Sequence, residues 1–148
     1  MPLVFSDRGR FVSDFGGEYS QRVSDALRDD ARGLLQSFVQ KINGMKGAVI
    51  ATSDGFEVAQ DIMSGADGAK LSAMASSISA IGNMVTQETD TGDRHRCIVI
   101  EGEQGYILIM DIPHSSCPMI LNVITSKSAV LGQVIYHAKQ VVGELSDA

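Results

Sequence analysis

Seventeen consecutive residues, Leu71 to Gln87 (LSAMASSISAIGNMVTQ), carry no formal charge. They read as a helix, because Leu71, Met74, Ala75, Ile78, Gly82 and Val85 recur at helical spacing. A surface helix ordinarily shows water a face of Lys, Glu and Arg. Here the other face holds Ser72, Ser76, Ser79, Ala80, Asn83 and Gln87, all uncharged and mostly small. Small side chains let a second backbone approach closely. The helix is therefore expected to be covered on two sides, once by its own domain and once by a partner. The plainer alternative is an exposed Ser/Ala helix that happens to lack charge. A membrane span wants about 20 mostly apolar residues, and four Ser with Asn, Thr and Gln make this stretch too polar for one.

The whole chain bounds the answer further. Its 148 residues suit one domain. A chain of this size buries about two-thirds of the surface it exposes when unfolded, so it needs no staples. The net charge is −6, and no basic run exceeds Arg94-His95-Arg96. Nucleic-acid binding rests on clustered Lys and Arg, so nucleic acid is not an expected partner. No positive segment followed by an apolar core marks a secretory signal. Cys97 and Cys117 do not make a disulfide framework. The expectation is a reduced, cytoplasmic setting without membrane insertion.

Residues 1–20 differ from the rest. Phe5, Phe11, Phe15 and Tyr19 are spaced by Gly9, Gly16 and Gly17, which argue against a stable helix. They read as an extended or flexible tail, with the domain proper at 21–148. A first helix is expected from about Ser20 to Asn43, stopped at Asn43-Gly44. Gly47–Thr52 reads as a buried strand, Ser53-Asp54-Gly55 as a tight turn, and Phe56–Ile62 as an alternating edge strand. Asp67 is expected to cap the uncharged helix. Arg96–Glu101 and Tyr106–Ile112 flank a hairpin turn, and Met119–Thr125 follows a loop with Pro113 and Pro118. These three runs are continuous rather than alternating, which predicts strands covered on both faces. Ser126 or Ser128 should cap a last helix running to about Leu145.

The order is thus α-β-β-α-β-β-β-α, an α+β fold with a central five-stranded, mainly antiparallel sheet and helices on both faces. If the first and last helices share one face, the uncharged helix alone covers the other. One helix leaves apolar surface bare on five strands, and a partner would cover it.

This order resembles the Roadblock/LC7 family, most tellingly in VIATSDGFEVA, the Ser/Ala-rich helix and CIVIEGEQGYILIMDI. The resemblance covers about residues 24 to 145 and looks closer to the prokaryotic single-domain form. It implies a profilin- or longin-like sandwich without enzymatic activity or cofactor. It also implies a homo- or heterodimer that regulates or scaffolds small Ras-like GTPases. Family members pair through the helix after the first hairpin and the strand after that helix. Carried over, the dimer interface is Leu71, Met74, Ile78, Ile81 and Val85 with Cys97, Ile98, Val99 and Ile100. Ser72, Ser76, Ser79, Ala80 and Asn83 are then the expected GTPase-facing surface.

Catalytic and metal chemistry find little support. His95, Cys97, His114 and Cys117 could be imagined as a zinc site, but nothing in the sequence brings the two pairs together. Cys117 beside His114 and Asp111 lacks a nucleophile motif. Gly65 to Ser72 is not a phosphate-loop pattern, and Asp54, Glu57 and Asp61 lack calcium-loop spacing. Arg94 and Arg96 read as rim charges beside an interface strand rather than as a transition-state arginine. Two other functions stay open. A PAS- or GAF-like small-molecule sensor would need convergent polar groups, of which only Asn122 and Tyr106 stand out. A structural adaptor would bind its partner without nucleotide-state preference.

Overall fold

A computed structural model describes residues 23–63 and 65–147. The aromatic tail read over residues 1–20 lies outside them. The first helix, α1 (Asp25–Lys41), begins later than expected, where the Ser24 hydroxyl accepts from the Leu27 N–H at 3.1 Å. Asp25 in its first turn and Lys41 in its last suit the helix dipole. Gly44 then turns the chain at φ +88°, with Ala129 N so near that a Cβ would stand 2.7 Å from it.

Strands β1 (Met45–Thr52) and β2 (Glu57–Ile62) form the first hairpin. Gly55 supplies the positive φ, +97°, and the Thr52 hydroxyl accepts from the Phe56 N–H at 3.1 Å. The uncharged helix is α2 (Gly68–Glu88). Asp67 caps it as expected, accepting from Ala69 N at 2.9 Å and Lys70 N at 3.3 Å. Then come β3 (Cys97–Gly102), β4 (Gly105–Ile112), β5 (Met119–Thr125) and α3 (Leu131–Ser146). Neither expected serine caps α3. Ser126 and Ser128 bond each other at 2.7 Å in the preceding turn, and Val130 takes the cap position without a side-chain bond.

The sheet order is β2-β1-β5-β4-β3, with every neighbouring pair antiparallel. On one face α1 lies over β1 and β2, α3 lies over β4, and the two helices touch. Leu35, Phe38, Ile50, Leu108, Met110, Leu121, Val134 and Leu145 fill the main core between them and the sheet. On the other face α2 is the one helix among the described residues, chiefly over β1 and β5. The core there is small: Ala75, Ile109 and Ile120, with Ile78, Ile98 and Ile107 partly buried at its margin.

The expectation for the three apolar runs holds for β4 and β5 but not for β3. Val99 and Ile100 remain 41% and 40% exposed. Topology is the reason. Among the described residues β3 is an outer strand paired only with β4. On one face α2 is centred over β1 and β5 and meets β3 at Ile98, leaving Ile100 uncovered; on the opposite face α3 lies over β4 and leaves Val99 uncovered.

Candidate protein-binding face

The serines and alanines of α2 decide which way the helix faces. Ser72, Ala75 and Ser79 are buried against the sheet. Ser72 Oγ donates to Gly68 O at 2.8 Å, one turn back, so its burial leaves no hydroxyl unsatisfied. Small residues here let the helix lie close over Ile109 and Ile120. The expected sense of the helix is thereby corrected. Ser72 and Ser79, expected on a partner surface, belong to the interior of their own domain. The other three residues of that set are divided. Ser76 is half-buried and donates to Ser53 O at 2.7 Å, tying the helix to the β1–β2 turn. Asn83 is half-buried, and Ala80 is exposed.

The larger apolar side chains point outward. Met74, Ile81 and Val85 are exposed, Ile81 to 60%, while Leu71 and Ile78 are half-buried. Met74, Ile78, Ile81 and Val85 follow one another at intervals of four, three and four, the spacing of a helix–helix seam. Met84, 66% exposed, extends this face and was not among the expected interface residues.

This face continues onto β3. A Cβ on Gly82 would come within 2.5 Å of Ile98 Cδ1, so the helix there lies directly against the strand. Ile98 packs on the α2 side of the sheet and Cys97 on the other, and strand alternation puts Ile100 with the first and Val99 with the second. Among the described residues, the outer rim of β3 carries no strand partner. An apolar edge of this kind is a template for pairing with another chain.

Below the C-terminal half of α2 lies a polar link that joins distant parts of the sequence. Ser79 Oγ and His95 Nε2 are 2.7 Å apart, and the His95 backbone N–H donates to Asn83 Oδ1 at 2.8 Å. The ring is buried, and that burial pushes its pKa below the usual imidazole value. Asp111 pulls the other way, and Arg94 adds to the lowering. Arg94 Nη1 itself stands 3.5 Å from Asp111 Oδ2. A Ser and an Asn four apart on one helix were the available signal for this link.

The remaining candidates serve local structure. His114 Nδ1 accepts from the backbone N–H groups of Ser116 and Cys117 at 3.2 and 3.1 Å, holding the loop before β5. Among the described residues, no three His, Cys, Asp or Glu are grouped to hold a metal ion. Burial pushes the Cys97 thiol pKa up, with Lys139 pulling it partly back. At the α2 N-terminus the Asp67 carboxylate already takes the N–H groups that a phosphate would use. Among the described residues, no helix is long and apolar enough to cross a membrane.

Comparison with known proteins agrees with this architecture. Residues 32–117 match the family described as Roadblock/LC7 domain. None of the curated proteins matches the chain. The gliding protein MglB from Thermus thermophilus superposes with a TM-score of 0.72 at 17% identity, over 84% of this chain and 91% of that one. A Roadblock/LC7 domain from Streptomyces avermitilis gives 0.69 at 18% identity, over 77% of this chain and 92% of that one. Profilin IA of Acanthamoeba castellanii gives 0.55 at 11% identity, over 78% and 96%. At these identities the likeness to solved structures is one of fold.

Proposed function

The chain belongs to the Roadblock/LC7 domain family, and from that premise we propose that it is a dimeric, non-enzymatic module that binds a small Ras-like GTPase. The observation that carries the dimer is the outward apolar seam of α2 beside the edge of β3, which no strand pairs among the described residues. Leu71, Met74, Ile78, Ile81 and Val85 would meet their counterparts across a two-fold axis. Cys97, Ile98, Val99 and Ile100 would pair as strands. Such an interface is isologous, and it closes the edge that would otherwise recruit further chains.

The GTPase surface is what remains small and exposed on α2. With Ser72 and Ser79 inside and Ser76 and Asn83 half-buried, Ala80 is the exposed member of the expected set, and Ala73 and Ser77, which were not in it, join Ala80 at intervals of four and three. Close approach over such residues lets a partner surface pack on the helix backbone. The module acts by binding one switch conformation better than the other, since equal affinity would shift nothing. The test is a purified Ras-like GTPase from the same cell, loaded with GTP or GDP and titrated into the dimer. Binding that favours one nucleotide state and is lost in Ala80→Glu, with the dimer intact, supports the reading. Equal affinity for both states would make the protein an adaptor. No binding in either state would sink the GTPase assignment.

A further inference from the structure

A groove of about 430 Å³ opens between the α2–β3 loop, β4 and α3. That is the size of a small-molecule site. None of the residues assigned above to the dimer or GTPase surfaces lines it. Its apolar floor is Met110, Pro113 and Val142. Its rim is cationic: Arg94, Arg96 and Lys139, three of the nine Lys and Arg among the described residues. Among the described residues the one acid that lines it, Asp111, is already held by Arg94. In a chain of net charge −6 this is a local reversal of sign.

A second observation comes from the groove's wall. His95 lines it and is only 5% exposed. Its Nε2 is taken by Ser79, while its Nδ1 is buried without a hydrogen-bond partner among the described residues. Buried polar atoms are nearly always paired. When Ser79 donates to Nε2, the neutral ring carries its proton on Nδ1, a donor waiting for an acceptor.

We propose that this groove binds a small organic anion, a carboxylate or phosphate head on an apolar body. Arg96 and Lys139 hold the head by charge, and the His95 ring forms part of the wall beside it. Met110, Pro113 and Val142 take the apolar body. Neither half suffices alone: exposed cations hold a bare anion weakly in water, and the floor does not select among apolar molecules. The His95–Ser79 contact also joins the groove directly to α2.

The test uses the full chain with octanoate and octyl phosphate, each below its micelle concentration, followed by calorimetry and by the His95 ring signals in NMR. Octanol, octylamine and inorganic phosphate are the controls. The expected result is saturable binding of either octyl anion at one site per chain, with a shift of the His95 resonances. Octanol and inorganic phosphate should bind at least tenfold more weakly, and octylamine not at all. Lys139→Ala and Arg96→Ala, both at exposed positions, should each weaken the anions at least tenfold in a protein that stays folded by circular dichroism. Binding untouched by both variants would place the alkyl chain on the α2 seam and overturn the proposal. So would inorganic phosphate binding as tightly as octyl phosphate. An acidic peptide that displaces the probes at far lower concentration would make the groove a protein-docking site instead. Absence of any binding would also refute it.

Discussion

Ile81→Glu isolates the proposed seam from the fold. Ile81 lies 60% exposed near the middle of α2 and outside both core clusters, so its loss should leave the monomer folded. Full burial of an Ile side chain is worth about 1.5–3 kcal/mol, so the exposed fraction of Ile81 offers about 1–2 kcal/mol to an interface. In an isologous dimer the substitution counts twice, giving about 2–4 kcal/mol. At 1.4 kcal/mol per tenfold, the dimer Kd should rise roughly 30- to 700-fold. Two carboxylates brought together near the axis push the effect toward the upper end. Light scattering over a dilution series of wild type and variant reads this directly. Tyr136→Glu, at an equally exposed position on α3, serves as the control and should leave the mass unchanged. A variant that dimerises like wild type would refute the helix seam and leave β3 pairing to carry the dimer. A wild type that is monomeric at high concentration would refute the homodimer altogether.

Three further outcomes follow from the interior. Ser79→Ala removes the partner of His95 Nε2 inside the domain and should cost about 1–3 kcal/mol, measured by urea unfolding. His95 has a folded pKa below its unfolded value of about 6.5, so only the unfolded chain takes up a proton just below that pH. Stability should therefore be unaffected by this group above pH 7, then fall as pH drops from 6.5 toward the folded pKa. His95→Gln should flatten that fall, and a wild type with no slope between pH 7 and 5.5 would contradict it. Leu35→Ala opens a cavity where α1 meets the main core and should cost about 2–5 kcal/mol by chemical denaturation, while leaving the exposed α2 seam in place.

The order of elements was legible because its signals are local. Asp54-Gly55 turns the first hairpin, Gly44 turns the chain just after α1 ends at Lys41, and Asp67 caps α2, each through backbone demands that a few neighbouring residues meet. α1 and α3 bury large side chains, among them Leu35, Phe38, Val134 and Leu145, against a broad core. The α3 cap was misread, since Ser126 and Ser128 spend their hydroxyls on each other.

By itself, then, the sequence determined the succession of helices and strands, and that α2 lacks the charged face of a solvated helix. Tertiary structure decided what that helix does with its two faces. Hydrophobicity alone would turn Met74, Ile81 and Val85 inward. The close seat of α2 on Ile109 and Ile120 instead favours residues that are small and can satisfy their own hydroxyls, so Ser72 and Ser79 go in and the large side chains go out. Strand position is equally invisible in composition. The runs of β3, β4 and β5 read alike, yet only β3 lies at an edge. The bond between Ser79 and His95, and the groove drawn from the α2–β3 loop, β4 and α3, exist only once the sheet has brought those segments together. Turns and caps depend on neighbours in the chain, whereas burial depends on neighbours in space.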